Sequence, residues 1–421
     1  MVYKTVLQLL LLLCLVACSQ GDMTLIKGKG DSREKIHLEF FSPKPETVAI
    51  FDELITKFER ENPQVDIEQV VVPDGMAVLK TRIARGDVPD IFITYPIEQD
   101  YVLRAKKGYL MDLTHEPFIK SIEPTIQRRF LVDGKMYGMA LTQNAVGVLY
   151  NKDIFKEMNL TIPKTWNEFI QVLEALKHSG KTPILMPNKD PAQTSVFNLN
   201  LIANEFESDY WEKVNKGKAK IYGDEKWINI CKKMLRVVSY AQRESFNEGY
   251  YETNENFAQG QGAMYIMGTW VLPEIERINP NLRYGIFPFP ATNDPKMNRV
   301  LGGVDIGIAI SAATKHPQVA KKFLEFLVKK ENAQKLVNFE GSISAIKGVQ
   351  TNKKVVKPLE ILIQKGKSVN WPNHYWIGGS WAESDFRNYS FQFFNDKDIG
   401  VYLRNLDNMF QHYRAQNPNF R

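Results

Sequence analysis

From residue 36 onward the chain alternates short β-branched and aromatic runs with stretches whose apolar residues recur every three to four positions. Residues 36–41 predict a strand, 46–61 an amphipathic helix that stops before Asn62-Pro63, and 65–72 a second strand. Residues 76–85 then predict a helix, 91–94 a short strand, and 98–107 a helix closed by Gly108. Successive units of this kind imply a largely parallel sheet with helices on both faces. Ligands in such sheets sit beyond the carboxyl ends of the strands. That rule makes Ser42, Pro43 and Lys44 candidates after the first strand and Tyr95 a candidate after the third.

Residues 137–150 read as two apolar runs interrupted by Thr142, Gln143 and Asn144. Polar side chains in mid-strand are costly when buried without partners, so this segment is expected to cross between two lobes with those side chains facing a cleft. Helices follow at 151–159 and 166–179, the second with Thr165 and Glu168 at capping-box spacing. A strand at 184–186, a helix running to 204 and a long helix at 227–242 lead to FAQGQGAMYIMGTW (257–270). There a glycine turn feeds a strand-length run that breaks at Gly268, leaving Trp270 at a strand-to-helix junction. Two readings of Trp270 stay open on the residues alone: a core indole after a turn, or a flat ring offered to a ligand. The proline-stopped run 284–290 reads as a second crossing, 306–310 as a strand and 316–330 as a helix. The remainder is mostly helical around an aromatic segment at 370–381.

A length of 421 residues implies two domains or lobes, and a net charge of +6 with scattered lysines gives no concentrated basic stripe. Nucleic acid is therefore excluded as a partner. Lys4 precedes an apolar run at 6–16 that ends in Leu15-Val16-Ala17-Cys18, too short to span a membrane and built as a signal peptide. Its last four residues resemble a bacterial lipobox, which implies lipid on Cys18. The polar stretch 19–35 reads as a flexible tether. Cys231 has helical spacing with Ile228, Leu235 and Val238 and reads as a small buried hydrophobe.

Tyr95, Trp270, Trp371, His374, Tyr375, Trp376 and Trp381 all fall in loops or at element ends. Sugar rings stack their C–H faces on aromatic planes and direct hydroxyls to carboxylates, amides and cations. Asn144, Asp305 and Lys44 supply that polar half. Catalytic patterns are missing: the six histidines show no paired metal spacing, and neither a phosphate loop nor a nucleophile elbow occurs. No cofactor or metal is implied, and the reading is of a binder, not an enzyme.

The motifs FERENP (58–63), DVPDIF (87–92), LYNKDIFKE (149–157), PKTWNEF (163–169), FAQGQGAMYIMGTW (257–270) and GGVDIGIAIS (302–311) follow one another in a recognisable order. Together with the lipobox they resemble the family 1 extracellular solute-binding proteins of carbohydrate ABC importers, similar to maltose-, raffinose- and multiple-sugar-binding proteins. The resemblance implies an α/β fold of two lobes, each a mainly parallel sheet flanked by helices. Lobe 1 is expected at 36–143 and 291–340, lobe 2 at 144–283 and 341–421, and a hinge crossing at 284–290. It also implies that Trp270 stacks on sugar, that Asn144 stands where maltose binders carry a carboxylate, and that Thr94, Tyr95 and Asp305 contact ligand. A further aromatic contact is implied within 371–376, with Trp371, His374 and Trp376 the candidates. The implied partners are an oligosaccharide and the permease subunits of an ABC importer, for a monomer lipid-anchored on the outer face of the bacterial membrane. A surface sugar sensor for a membrane kinase and a glycan-active surface enzyme are the alternatives.

Overall fold

The computed structural model describes residues 35–417 apart from 73, 74 and 97. The expected leader, Cys18 and all of the tether except Lys35 lie outside the described residues. Among the described residues no helix is long and apolar enough to cross a membrane.

Among the described residues, twelve strands follow in chain order. These are β1 (Ile36–Ser42), β2 (Val65–Val71), β3 (Ile91–Ile93), β4 (Leu131–Val132), β5 (Lys135–Met136) and β6 (Met139–Asn151). After them come β7 (Ile184–Leu185), β8 (Met264–Gly268), β9 (Tyr284–Pro288), β10 (Val300–Ile310), β11 (Ile343–Ser344) and β12 (Ser368–Val369). One continuous sheet runs β2-β1-β3-β10-β6-β8-β7, with β9 and β11 paired to β6 and β12 to β10, while β4 and β5 form a separate hairpin. At its margins the sheet is parallel, as the alternating pattern predicts: β1 with β2 and β3, and β7 with β8. Its centre is antiparallel, where β10 pairs with β3 and β6, and β6 with β8 and β9.

The reason lies in how the cores are connected. One apolar core holds Leu38, Phe41, Ile93, Leu141, Val304 and Ile308; the other holds Ala145, Leu149, Phe169, Met267, Ile286 and Leu301. β6 leaves the first core at Leu141 and enters the second at Ala145, whereas β10 leaves the second at Leu301 and enters the first at Val304. Two strands that cross between the same cores in opposite directions must pair antiparallel. The polar Thr142, Gln143 and Asn144 sit at the crossing of β6, where the sequence pattern breaks.

The expected hinge at 284–290 is not a crossing. β9 pairs with β6 opposite Gly147–Asn151, and Ile286, Phe287 and Phe289 are buried in the second core. Its prolines stop a strand that lies within one core. Ala291 and Val300 also belong to the second core, while Ala345, Ile346 and Val349 belong to the first, so the expected boundaries at 290 and 340 move to the crossings near 302 and 350.

Helices cover both cores for the reasons their patterns give. In Val48–Glu61 the residues Ile50, Phe51, Leu54, Ile55 and Phe58 form one buried stripe. Trp166–His178 starts with a complete capping box from Thr165 and Glu168. Cys231 is fully buried in Glu225–Val238, and burial pushes its thiol up to about 12. Trp376 is 1% exposed, with ring centroids 4.9 Å from Phe386, 5.5 Å from Trp211 and 5.8 Å from Phe410. Trp376→Ala is expected to lower unfolding stability by about 3–5 kcal/mol in urea titrations, the cost of emptying a packed aromatic site.

Candidate functional site

A cavity of about 430 Å³ lies where the crossing strands pass between the two cores. Pro43, Lys44, Glu46, Tyr95 and Glu98 line it from the first core's side, and Gln193, Trp270, Trp371, His374 and Arg387 from the second's. The crossing strands contribute Asn144 and Asp305.

Asp305 owes its direction to a bulge. Val304 pairs with Gln143 and Ile306 with Thr142, so Asp305 is an extra residue in β10 without a partner on β6. Its carboxylate takes Lys44 Nζ on both oxygens, at 2.8 and 2.9 Å, and the Asn144 side-chain amide on Oδ1 at 3.0 Å. The side-chain oxygen Oδ1 of Asn144 in turn accepts the Gly303 N–H at 3.0 Å and the Trp371 indole N–H at 3.2 Å. A single hydrogen-bonded chain therefore runs from the loop after β1, through both crossing strands, to an indole on the second core. Lys44, Asn144 and Asp305 are 6%, 7% and 3% exposed, which is tolerable only because each polar head is partnered. Burial opposes the charge on Lys44, and the Asp305 carboxylate outweighs it and holds the ammonium pKa above its ordinary value.

The aromatic half faces this chain. Trp270 follows β8 in a single helical turn, Thr269–Val271, and its ring centroid lies 6.0 Å from that of Trp371 at 44°. The indole folds back over Gly268, where a Cβ would fall 1.8 Å from the ring. Only a residue without a side chain permits that approach. Tyr95 stacks on His374 across the cavity at 5.8 Å and 26°. Burial pulls His374 down to about 4, so its imidazole is neutral at physiological pH.

Two of the candidate residues stand elsewhere. Thr94 is fully buried beneath the cavity, its N–H bonded to the Gly307 carbonyl at 2.8 Å and its hydroxyl accepting from Arg104 at 3.3 Å. Trp376 is part of the aromatic core described above and does not line the cavity. The sequence reading also missed Glu46, Glu98, Gln193, Glu383 and Arg387, all of which line it. Each lies on or beside a helix with ordinary polar neighbours, so nothing local sets it apart from a solvated charge. Glu98 is buried, and burial, opposed by Arg104, pushes its carboxyl up to about 8. Behind Lys44, buried Glu340 is pushed up to about 8 by burial and then by the Asp305 charge. Among the described residues no group of three or more His, Cys, Asp or Glu side chains could hold a metal ion. Arg387 is bonded to Glu383 and Lys44 to Asp305, so beside Glu46 and Glu98 the walls offer two paired charges, amides and ring faces. That set suits a neutral ligand rich in hydroxyls.

Comparison with known proteins agrees with this arrangement. The family described as bacterial extracellular solute-binding protein matches residues 43–334, and the chain belongs to it. The multiple sugar-binding protein of Streptococcus mutans is 30% identical over 383 residues, covering 88% of both chains. Among solved structures, the chain resembles the solute-binding protein RafE in complex with raffinose, with a TM-score of 0.83, 28% identity and coverage of 90% of this chain and 100% of that one. The apo form of RafE from Streptococcus pneumoniae gives a TM-score of 0.74 at 27% identity, covering 90% and 98%. The two-lobe fold of these binding proteins is thus the fold of this chain.

Two predictions follow from the buried charges. Asp305→Ala, which strands Lys44 and Asn144, is expected to cost about 3–5 kcal/mol in urea unfolding. Glu98 and Glu340 carry folded-state values near 8 against an ordinary 4.5, so the folded protein holds protons that the unfolded chain releases. Their contribution is complete below about pH 4.5 and is lost as pH rises through 8. Unfolding titrations across that range are expected to show falling stability, with a flatter slope in Glu98→Gln.

Proposed function

We propose that this protein is the extracellular receptor of an ABC importer that captures an oligosaccharide between its lobes and delivers it to the membrane permease. The carrying observation is the continuous chain Lys44, Asp305, Asn144 and Trp371, which ends beside the Trp270 face and joins both cores at one cavity. Such a site gives a sugar a ring to stack on and fixed acceptors and donors for its hydroxyls. Relatives named as multiple sugar-binding and raffinose-bound proteins support the same ligand class.

In this reading the cores act as two lobes, 36–141 with 304–349 and 145–301 with 356–413. β6, β10 and the segment 350–355 are the hinge. Ligand touching both lobes stabilises the closed state by its differential affinity, and the permease recognises closure. Trp270, Trp371, Tyr95, His374, Asn144, Asp305 and Lys44 form the sugar site. The protein works as a monomer, anchored outside the cell by lipid on Cys18. In this reading it returns its ligand intact, and Asp305, with both oxygens engaged by Lys44, is poorly suited to acid or base work.

Titration with raffinose, stachyose and maltotriose, followed by tryptophan fluorescence, is expected to give saturable binding to at least one sugar, recovered intact by chromatography. Silence across the panel with binding of an amino acid would defeat the reading, as would a cleaved product. Trp270→Ala is expected to weaken binding by about 2–3 kcal/mol with little loss of fold stability.

A further inference from the structure

At the edge of the cavity, where Ser380 is part of the lining, one carboxylate built on the first core serves a helix built on the second. Asp100 lies in Gln99–Lys106, whose Tyr101 and Ala105 are packed in the first core. Its Oδ2 accepts the backbone N–H of Ser380 at 3.1 Å and the Ser380 hydroxyl at 2.7 Å. Its Oδ1 pairs with Lys80 Nζ at 2.9 Å. Ser380 opens the helix Ser380–Asp396, whose Ala382, Phe386 and Phe393 are packed in the second core.

That helix has no cap of its own. The residue before it is Gly379, which lacks a side chain, has φ +56°, and would place a Cβ 2.9 Å from the Asp100 carboxylate. The N–H groups of a first turn need an acceptor, and a negative charge there also meets the positive end of the helix dipole. Asp100 supplies both from the other lobe. Lys80 completes the contact, since its ammonium lies 5.2 Å from the Trp381 ring and 3.5 Å from the Ser380 hydroxyl. Burial would raise the Asp100 pKa, but Lys80 and Ser380 outweigh it and keep it below the usual carboxylate range. Neither Asp100 nor Lys80 lines the cavity.

We propose that Asp100 is a positioning residue, a latch that caps the helix at Ser380 across the lobes and stabilises closure without touching ligand. The inference rests on the reading of the two cores as lobes that close on a sugar. The chain that carries this contact has the higher TM-score with the raffinose complex, 0.83, against 0.74 with the apo form. Opening the lobes would return the carboxylate, the ammonium and the Ser380 N–H to water. The latch therefore contributes to the closed state alone, and by the same factor for every ligand that closes the protein.

The test combines sugar titrations with amide hydrogen exchange at residues 380–382. Asp100→Ala is expected to raise the Kd for raffinose and for stachyose by one common factor, about five- to tenfold. It is also expected to remove the protection of those amides in the raffinose-saturated protein. Asp100→Asn, which keeps a cap acceptor and drops the pairing with Lys80, should fall between wild type and Asp100→Ala. Affinities within twofold of wild type together with unchanged protection would overturn the latch. So would a loss confined to one sugar, which would mark Asp100 as a ligand contact. Should Asp100→Ala fail to fold, Asp100→Asn and Lys80→Met carry the same comparison. A wild type that binds none of raffinose, stachyose and maltotriose refutes the sugar reading, and one that binds maltotriose alone carries the Kd comparison on that sugar; where none binds, the latch is judged by exchange in the sugar-free protein, where lost protection in Asp100→Asn or Lys80→Met supports it and unchanged protection overturns it.

Discussion

The Lys44–Asp305 ion pair is the constraint on which the centre of this molecule depends. Both charges are buried, so each costs several kcal/mol of hydration unless fully partnered. The partners come from three separate parts of the chain: the loop after β1, the bulge in β10 and the amide of Asn144 in β6. The bulge is what makes this possible. A regular ladder would give residue 305 a cross-strand neighbour, whereas the bulge frees its side chain to meet Lys44.

That chain of bonds also explains the placement of the aromatic wall. The Trp371 N–H is bound to Asn144, so the indole is fixed by the same amide that orients Asp305. Trp270 is fixed differently, by its backward fold over Gly268 and its contact with Trp371. A site whose rings and acceptors are set before ligand arrives loses little conformational entropy on binding. The cavity thus joins a rigid polar floor to rigid ring faces, while Asp100 and Ser380 join the lobes at its rim.

Much of the local structure was legible in the sequence. The early β and α units fall within a few residues of their predicted limits, and the capping box at Thr165 formed as its spacing required. Trp270 stands at the strand-to-turn junction the glycines implied. Lys44, Asn144, Asp305, Tyr95, Trp371 and His374, singled out by type and position, meet at one cavity. Thr94 and Trp376 resembled their neighbours in sequence but turn away from it, because a one-residue step along the chain reverses or rotates a side chain's direction.

The sequence by itself determined most of the longer strands and helices, since period and punctuation are local properties of the chain, whereas the two-residue strands β4, β5, β11 and β12 are too short to carry a period. It also determined the chemistry on offer, because aromatic rings, amides and a few charges at element ends are visible residue by residue. Tertiary structure alone decided which runs cross between cores. The run at 284–290 and the crossing in β10 are both short apolar stretches beside glycine or proline, and only the pairing of β9 with β6 separates them. It alone also brought Glu98, Glu383 and Arg387 to the cavity and set Asp100 against Ser380, partners 280 residues apart. Such contacts are fixed by how two cores are joined, and no local periodicity records that.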